Sequence, residues 1–517
     1  MTHKLIRTSV LLISRLRRDY GVASRLSVLL VILLTLIYQP TTCFAQGSLT
    51  PPGPPAPTMK TLQQIEPRID LQNAPASSVT TTDANSNFII TQPGSYYLSG
   101  NLGVIKTNGI VINAAGVVLD LNGFEISRAS GSGGNGIEIR ATSHRAAVRN
   151  GSIKGFSVGV SSIFAGGDYP HGCAFRDLSV SGCTSGGIFA GSGAVLESCQ
   201  VHDSSGSSGI SVGPGSSLSN CSARNNNGGS AISADHGCVL SNCSVSGNNV
   251  SYGILSSGDS SLSNCSAYAN VVFIAAIAGG AGSSLSNCTA SNNTGGYGIY
   301  AETGSTLSNC SARNNHSADP RSAGIATLDG CTLTSCTSAN NQSSAGPSAL
   351  AGMGFDLGNS NTVKNCTATA NKGDGIHTGL APRISDCNSN GNGTGTTGSG
   401  IVTDKRAIVS HCTANDNQNS GIVVQGESIV SDCSANTNGL GGASKGIDSS
   451  PGGGSRIEAN QARNNIGIGI ATSSGDIVVR NSAGANSVAN FSPASGPNFA
   501  PIQTPSTATN PLANIVF

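Results

Sequence analysis

Four residues in the last third of the chain could act as acids and bases: Asp356, His377, Asp404 and His411. Asp356 and His377 each follow a glycine and an apolar residue, so a stack of coils would place them in one column about 4.8 Å apart. Carboxyl and imidazole groups at this spacing are the components of general acid–base catalysis. Other ionisable residues accompany them in this stretch, namely Asp374, Asp386 and Lys405. The alternative is a solvated face, because apolar residues continue the column.

Three tyrosines form a second candidate site. Tyr252 and Tyr297 hold the same position before a Gly-Ile pair two coils apart, and Tyr300 lies close by. Aromatic rings about 10 Å apart on a flat parallel sheet can stack on alternate sugars of a polysaccharide. Because aromatic residues make up only 4% of the chain, this grouping indicates a carbohydrate-binding surface. The alternative is that they are scattered exposed aromatics, which are normal on protein surfaces.

A third candidate is the glycine-rich segment Gly167–Gly172, which contains Asp168 and His171. An isolated Asp and His in a loop more often belong to a turn. Elsewhere the acids are spread at about one per coil, with no Asp-Asp pair, and the Gly-Gly-x-Gly-x-Asp calcium repeat is absent. We therefore expect no metal site and no cofactor, since no motif supports calcium binding.

All of these candidates are set in a long internal repeat. The first steps between its cysteines are 22, 22, 22, 23 and 22 residues, and the later steps vary between 21 and 30. A fixed period of this length is typical of a solenoid, in which each repeat packs only against its neighbours. The eleven repeating cysteines are Cys199, Cys221, Cys243, Cys265, Cys288, Cys310, Cys336, Cys366, Cys387, Cys412 and Cys433.

Each repeat contains three short strands and three turns. Alternation places Ile210 and Val212 inside, and Leu218 makes the second inward contact. Asn220, directly before Cys221, tolerates the left-handed backbone that would reset the alternation at a bend. The sequence therefore predicts an all-β, right-handed parallel β-helix of about 22 residues per coil with capped ends. A leucine-rich repeat is the alternative, but it needs several leucines per repeat and this chain usually has one.

Sixteen cysteines in an exported protein would ordinarily suggest disulfides. Equivalent cysteines in adjacent coils, however, would have parallel Cβ directions, which give poor disulfide torsions. We interpret them as a ladder of small buried hydrophobic residues. Cys238 and Cys331 belong to the core as well, and Asn460 and Asn481 take the ladder position after Cys433. The recurring Asn-Cys-Ser/Thr triplets are interpreted as a turn plus a core residue rather than as glycosylation sites.

The beginning of the chain has the features of an export signal: basic residues, a 13-residue apolar run, then Pro40 and a small-residue cleavage site ending at Ala45. That run is shorter than the ~20 residues that span a bilayer, although an uncleaved anchor is the alternative. We expect a secreted or cell-envelope protein. The predicted segments are a signal peptide at 1–45, a Pro-rich linker at 46–57, an N-terminal cap at 58–103, about 17 coils at 104–490, and a C-terminal cap or tail at 491–517.

Charge excludes two classes of partner. The chain has 27 Lys and Arg against 26 Asp and Glu, and only 10% of its residues are charged. Without a basic stripe, nucleic acid and anionic membrane are poor partners. A polysaccharide remains the expected partner, and the sequence leaves the oligomeric state open.

Several segments resemble a family of exported bacterial right-handed β-helix repeat proteins. The resemblance covers nearly the whole mature chain, and it implies the fold and export without a catalytic residue, because the family is largely uncharacterised. More distantly, the repeats are similar to pectinase-like carbohydrate-binding and sugar-hydrolase modules, and Gly167–Gly172 faintly resembles the Asp-Pro-His motif of alginate epimerases, with Tyr169 inserted. The segments that carry the family resemblance are 57–68, 90–101, 118–124 and 510–514.

Two functions follow as hypotheses. The first is a non-enzymatic extracellular or cell-surface protein with a structural or adhesive role, which also binds glycans. The second is a lyase, epimerase or hydrolase of an acidic polysaccharide, which requires that the longer repeats at 310–336 and 336–366 frame a cleft around His377. We favour the first, because regular Ser, Asn and Gly surfaces outnumber clustered acids and bases.

Overall fold

The computed structural model describes residues 68–128, 133–140, 143–162, 170–346, 348–395, 397–442, 444–492 and 498–517. They belong to one compact unit, Arg68–Phe517. The predicted signal peptide, the linker and the first part of the predicted cap lie outside the described residues.

Each coil contributes three strands, as the sequence predicted. In one regular coil these are Ser205–Val212, Ser217–Ser219 and Ser222–Arg224. Each strand pairs in parallel with its equivalent in the next coil, so that Ile210 lies beside Ile232, for example. The unit is therefore a parallel β-helix with three sheets, which we call the long-strand sheet, the second sheet and the third sheet in chain order.

The long-strand sheet contains the longest strands, although two coils interrupt their strand. Its strands are Ser86–Ile90, Asn108–Ile112, Asn135–Ile139, Val158–Ser161, Gly186–Ala190, Ser205–Val212, Asn227–Ala234, Asn249–Ser256, Val271–Gly279, Thr294–Ala301, His316–Ser317, Ser322–Thr327, Gln342–Ser343, Ala351–Leu357, Ile376–Thr378, Ile401–Thr403, Ile422–Val424, Ser444–Asp448, Gly467–Ala471 and Ala489–Ser492.

The second and third sheets consist mainly of three-residue strands, and Ala147–Lys154 and Ala174–Ser181 run through both. The remaining strands of the second sheet are Ile69–Asp70, Gly94–Tyr97, Val117–Asp120, Val195–Glu197, Ser217–Ser219, Val239–Ser241, Ser261–Ser263, Ser284–Ser286, Thr306–Ser308, Thr332–Thr334, Thr362–Lys364, Arg383–Ser385, Ile408–Ser410, Ile429–Ser431, Arg456–Glu458 and Ile477–Val479. Those of the third sheet are Leu102–Gly103, Glu125–Ser127, Gln200–His202, Ser222–Arg224, Ser244–Ser246, Ser266–Tyr268, Thr289–Ser291, Ser311–Arg313, Thr337–Ala339, Thr367–Thr369, Asn388–Asn390, Gln461–Arg463, Ser482–Gly484, Ile502–Gln503 and Asn514–Val516.

One column of the long-strand sheet counts the coils, because its members are register partners from coil to coil. The column has 18 members, in agreement with the coil number expected from the repeat. They are Ile89, Val111, Glu138, Ser161, Phe189, Ser211, Ser233, Leu255, Ala278, Tyr300, Ala326, Asp356, His377, Val402, Val423, Asp448, Ala471 and Ser492.

The bend before each repeating cysteine confirms the prediction from Asn220. That residue has φ +54°, and the equivalent asparagines are also left-handed. Its neighbour Cys221 points inward and is fully buried. All fifteen cysteines of the described residues are buried free thiols, and Asn460 and Asn481 continue this ladder, with the amide of Cys433 donating to the side-chain oxygen of Asn460 at 2.9 Å. The cysteines are core residues, as predicted.

A second ladder, of buried asparagines, lies at the corner where the third sheet turns into the long-strand sheet. Asn248 is typical: its Nδ2 donates to the oxygen of Ala223 at 3.0 Å and to Oδ1 of Asn270 at 2.8 Å. Its own Oδ1 accepts the amide of Asn226 at 2.9 Å. Since every donor and acceptor of these side chains is used, their burial costs little. The sequence predicted three turns per repeat, and the structure adds a ladder of buried asparagines at one of them.

Both ends of the stack are covered by irregular segments. Val79–Thr80 pairs antiparallel with Ser86–Ile90, which already belongs to the first coil, and a 3-10 helix occupies Leu71–Asn73. At the other end Asn514–Val516 pairs with Ser482–Gly484. Covered ends matter because exposed strand edges would pair with other chains.

Candidate functional site

The first two candidate sites of the sequence analysis lie on one face, apart from Asp404 and His411. Tyr300, Asp356 and His377 belong to the same outward column of the long-strand sheet, and Asp356 and His377 are direct register partners. Tyr252 and Tyr297 occupy a parallel column of the same sheet, two coils apart through Ala275. The aromatic and the ionisable residues therefore follow one another along the stack.

The tyrosines form a small apolar surface. The rings of Tyr297 and Tyr300 are stacked, with centroids 5.7 Å apart and an interplanar angle of 18°. Both pack against a separate apolar cluster that contains Ala323, Ala326 and Met353. Burial raises the pKa of the Tyr297 phenol, and the negative charge of Asp356 raises it further. The aromatic pair thus adjoins the charged part of the face.

Insertions in the longer coils build a wall beside this face. Residues 318–321 in one coil, and residues 344–346 and 348–350 in the next, interrupt the long strand in the two coils that the sequence marked as long. Arg321 comes from the first insertion and reaches Asp356, and Ala349 from the second accepts the amide of Asp374 at 2.8 Å. The insertions therefore lie on the same side of the stack as His377, but the groove that Ala349 lines does not include His377.

Asp356 is the centre of the charged cluster. Its side chain is only 7% exposed, and Arg321 donates to it through Nε at 2.8 Å and Nη2 at 2.9 Å, a bidentate arrangement. Burial alone would raise the pKa of Asp356, but the imidazole of His377 and the guanidinium of Arg321 hold it below its ordinary value. Asp356 is thus a fixed negative charge that Arg321 neutralises.

His377 lies between two carboxyl groups. Its Nδ1 is 3.7 Å from Oδ1 of Asp356, which is too long for a hydrogen bond, and this buried nitrogen has no hydrogen-bond partner among the described residues. Burial alone would lower the pKa of His377, but Asp356 and Asp374 raise it. The side chain remains 25% exposed, so it can reach a ligand on the face.

Asp374 is the most perturbed acid of the site. Burial raises its pKa to about 6, although its Oδ1 accepts the amide of Ser399 at 2.6 Å, which opposes the shift. A carboxyl group with this pKa exchanges its proton near neutral pH, as general acids do. Asp374 was only an accompanying residue in the sequence analysis, because its burial depends on the walls on either side.

A groove of about 420 Å³ continues from Asp374 along the face. Its floor includes Val402 and Val423, the next residues of the column after His377. Its far end carries Lys445 and Asp448, whose Nζ and Oδ2 are 2.7 Å apart. The groove therefore combines two valines on its floor with the polar residues Ser399, Asn419 and Ser420 and a charged group at each end, a combination suited to a sugar chain.

Asp404 and His411 do not join this cluster. Asp404 lies in the turn after Ile401–Thr403, where its Oδ1 accepts Nε2 of Gln425 at 2.9 Å. His411 is exposed at the left-handed bend between the second and third sheets, with φ +52°. A residue in a neighbouring coil joins the cluster only if it lies on the same face of that coil. Each coil has three faces, and Asp404 and His411 lie at a turn and at a bend outside the long-strand sheet.

Arg321, Lys445 and Asp448 are site residues that the sequence analysis missed. The one sequence feature that could have identified them is the length of their repeats. Arg321 ends the insertion of a 26-residue repeat, and Lys445 follows another insertion. Of the segment Gly167–Gly172, residues 167–169, including Asp168, lie outside the described residues. Within the described ranges, no three His, Cys, Asp or Glu side chains converge as metal ligands would, and no helix is long and apolar enough to cross a bilayer.

Comparison with known families agrees with this architecture. The family described as "Right handed beta helix region" matches residues 161–315 and 297–461. Together these matches span more than half of the chain, so the protein belongs to this family of right-handed β-helices. No curated protein matches the sequence.

Three solved structures are similar at low identity. The A-module of the mannuronan C-5 epimerase AlgE4 from Azotobacter vinelandii is 12% identical, with a TM-score of 0.31, 78% of this chain covered and 90% of that chain. A tailspike protein mutant of E. coli bacteriophage HK620 in complex with a pentasaccharide is 13% identical, with a TM-score of 0.32 and 68% of each chain covered. The Dettilon tailspike protein is 12% identical, with a TM-score of 0.33 and 62% of each chain covered.

Proposed function

We propose that this protein is an exported, non-enzymatic β-helix that binds a polysaccharide along its long-strand sheet, at the cell surface or outside the cell. One observation carries the proposal: the stacked Tyr297 and Tyr300, the cluster of Arg321, Asp356 and His377, and the groove beyond them follow in line on one face. The basic and apolar start of the sequence supports the exported location.

The face suits an extended ligand. From Tyr252 to Asp448 the column advances eight coils, which corresponds to about 38 Å at ~4.8 Å per coil. Sugar rings stack on the tyrosines through their apolar C–H faces, and sugar hydroxyl groups exchange hydrogen bonds with the charged groups further along. The insertion wall confines the ligand to the direction of the stack.

The apolar floor supports binding rather than chemistry in the middle of the groove. Val402 and Val423 offer no proton donor or acceptor, and Asp356, the acid nearest to His377, is held by Arg321. A carboxylate in a bidentate pair with arginine is a poor base, because the guanidinium stabilises its charged form. The structural and adhesive role therefore remains the preferred proposal.

A second candidate function rests on Asp374. Its pKa of about 6 and the raised pKa of its neighbour His377 give one group that can donate a proton and one that can accept it near neutral pH. In that case the protein would be a lyase, epimerase or hydrolase of an acidic polysaccharide, with Asp374 and His377 as the reacting pair.

One experiment separates these functions. The purified chain is incubated with pectins, alginates, xylans and sulfated glycans, and both retention on the polymer and released products are measured. We expect retention without product for at least one polymer, and loss of retention by about 2- to 10-fold in Tyr300→Ala, since an aromatic contact contributes about 0.5–1.5 kcal/mol.

Tyr268→Ala is the matched control, because Tyr268 is an exposed tyrosine on the third sheet, outside the proposed face. Equal loss in the two variants, or no retention on any polymer, would contradict the proposal. Release of product that disappears in Asp374→Asn would replace it with the second candidate.

A further inference from the structure

One corner of the coil is glycine-rich for a conformational reason. Where the long-strand sheet turns into the second sheet, one residue per coil adopts a left-handed φ and donates its amide to the carbonyl of the next coil. Non-glycine residues are strained in this conformation by roughly 1–2 kcal/mol. Glycine takes eight of the fourteen consecutive positions that share this hydrogen bond, namely Gly116, Gly172, Gly193, Gly215, Gly237, Gly282, Gly304 and Gly330.

Arg145 stands at this corner with φ +58°, between Gly116 and Gly172 of the adjacent coils. A Cβ on Gly172 would lie 3.7 Å from Cγ of Arg145, and a Cβ on Gly116 would meet nothing within 4 Å. The neighbouring glycines therefore leave the guanidinium uncovered. A charged residue kept in a strained conformation without a structural contact points to a functional role.

Arg406, at the same corner of a different coil, shows what an arginine with a purely structural role looks like there. Arg406 has φ +64°, and its Nε lies 2.9 Å from Oε2 of Glu427, which holds the corner of the next coil. Arg145 has no such carboxylate among the described residues, because glycines hold both adjacent corners. The two arginines share backbone geometry and differ in whether their charge is already neutralised.

Two histidines complete the surroundings of Arg145. The rings of His144 and His171 are stacked, with centroids 5.2 Å apart and an interplanar angle of 4°. Nδ1 of His144 accepts the backbone amide of His171 at 3.1 Å, and Nδ1 of His171 lies 2.7 Å from Oγ of Ser192. Because Nδ1 of His144 is an acceptor, the ring proton of His144 is on Nε2, which can donate to a ligand.

These side chains line a cavity of about 770 Å³ together with Ala115, Gly116 and Gly172. The guanidinium of Arg145 and Nε2–H of His144 are both hydrogen-bond donors, and the lining residues that the structure describes include no carboxylate. A group of donors around one positive charge is complementary to an oxyanion. A metal ion fits less well, since the Nδ1 lone pair of His144 is occupied and its Nε2 carries the proton.

We propose that His144, Arg145 and His171 form an oxyanion-binding site for the carboxylate or sulfate group of a saccharide. Arg145 lies seven coils before Tyr300 in the stack, or about 34 Å at ~4.8 Å per coil, and the site is at the edge of the long-strand sheet rather than on its outward face. It is independent of the polysaccharide-binding face described above.

Isothermal titration calorimetry at low ionic strength tests the site with inorganic sulfate, glucose 6-sulfate and glucuronate, and with glucose as the neutral probe. We expect the anionic probes to bind the full chain and glucose not to bind. Arg145→Gly should weaken binding by about 10-fold or more, because it removes a charge-assisted hydrogen bond. Tighter binding of sulfate esters or of glucuronate identifies which oxyanion the site prefers.

Two further variants make the result decisive. Arg406→Gly introduces glycine at the equivalent corner, and it should bind the anionic probes as the unmodified chain does. His144→Phe keeps a stacked ring and removes the Nε2 donor, so it should also weaken binding. The proposal is overturned if no anionic probe binds, or if Arg145→Gly and Arg406→Gly lose affinity equally.

Discussion

Residues 205–310 and residues 316–448 are built on the same coil but present different surfaces. In the first section the repeats have 22 or 23 residues, and the outward column carries Ser211, Ser233, Leu255, Ala278 and Tyr300. In the second section insertions interrupt the long strand. Between Ser211 and Asp448, the ionisable side chains of the column other than Tyr300 all belong to this second section, and they are Asp356, His377 and Asp448.

The hydrogen bonds of the buried asparagine ladder are the same in the two sections. Asn293 in the regular section and Asn371 in the inserted section make the same four side-chain hydrogen bonds, all at 3.0 Å for Asn293 and at 2.9 to 3.1 Å for Asn371. Two of the insertions begin three residues after a ladder asparagine, because the strands His316–Ser317 and Gln342–Ser343 follow Asn315 and Asn341 first, so the insertions extend outward from an unbroken stack. The core ladders thus allow the surface to vary without changing the coil.

The largest effect is expected from removing a ladder asparagine. Asn293→Ala leaves the side-chain and backbone donors of Asn270 and the carbonyl of Ala267 without partners in the core. Each such buried group costs about 1–3 kcal/mol, so we expect the free energy of unfolding in urea to fall by about 3–5 kcal/mol. Asn371→Ala should have the same cost in the inserted section, and a clearly smaller loss there would break the comparison.

Asn292→Ala is the matched control for this change. Asn292 precedes Asn293 but is exposed at a left-handed bend with φ +55°. Alanine occupies the equivalent bend as Ala269 and Ala370. The expected loss is therefore below about 1 kcal/mol, and a loss as large as that of Asn293→Ala would refute the role assigned to the ladder.

The second effect is a pH dependence confined to the inserted section. The pKa of Asp374 is raised by burial to about 6, above its unfolded value, so the folded state binds the proton more tightly. Stability from this group is complete below about pH 4 and is lost as pH rises through 6. A shift of about two pH units corresponds to about 3 kcal/mol.

Asp374→Asn removes this titration, and its side-chain oxygen can still accept the amide of Ser399. Relative to the unmodified chain, the variant should therefore gain stability as the pH increases from 4 to 7, measured by urea unfolding at each pH. A stability difference that stays constant across this range would contradict the raised pKa.

The third effect compares two arginine pairs. Arg321→Gln leaves Asp356, only 7% exposed, without its bidentate partner, and we expect a loss of about 1–3 kcal/mol in unfolding free energy. Arg406→Gln breaks a pair whose side chains are 70% and 57% exposed, and should cost less than about 0.5 kcal/mol. Similar losses in the two variants would show that the buried charge cluster is no more important than a surface pair.

The smallest effect concerns the thiols, which both sections share. Burial raises the pKa of Cys173 to about 11, and the ladder cysteines are shielded from solvent. We expect iodoacetamide at pH 8 to leave these fifteen thiols unmodified in the native protein and to alkylate them after denaturation, as read by mass spectrometry. A reductant should leave the melting temperature unchanged, whereas a large decrease would reveal structural disulfides.

The sequence alone determined the coil and its register. A recurring Cys after a left-handed Asn, and a Gly-Ile pair about twelve residues later, are local patterns that repeat often enough to fix three strands per coil. Register then followed by alignment of the repeats, which is why the pairing of Asp356 with His377 could be predicted from equivalent positions.

The tertiary structure decided which neighbours meet across coils of unequal length. Asn225 and Asn226 are the same residue type side by side, yet one is exposed and the other is buried in a ladder, because the bend turns only the second inward. Arg321 reaches Asp356, 35 residues away, only because an insertion folds back over the next coil. Stacking brings residues 20 to 30 positions apart into contact, and inserted loops shift those contacts in ways that a repeat pattern does not encode.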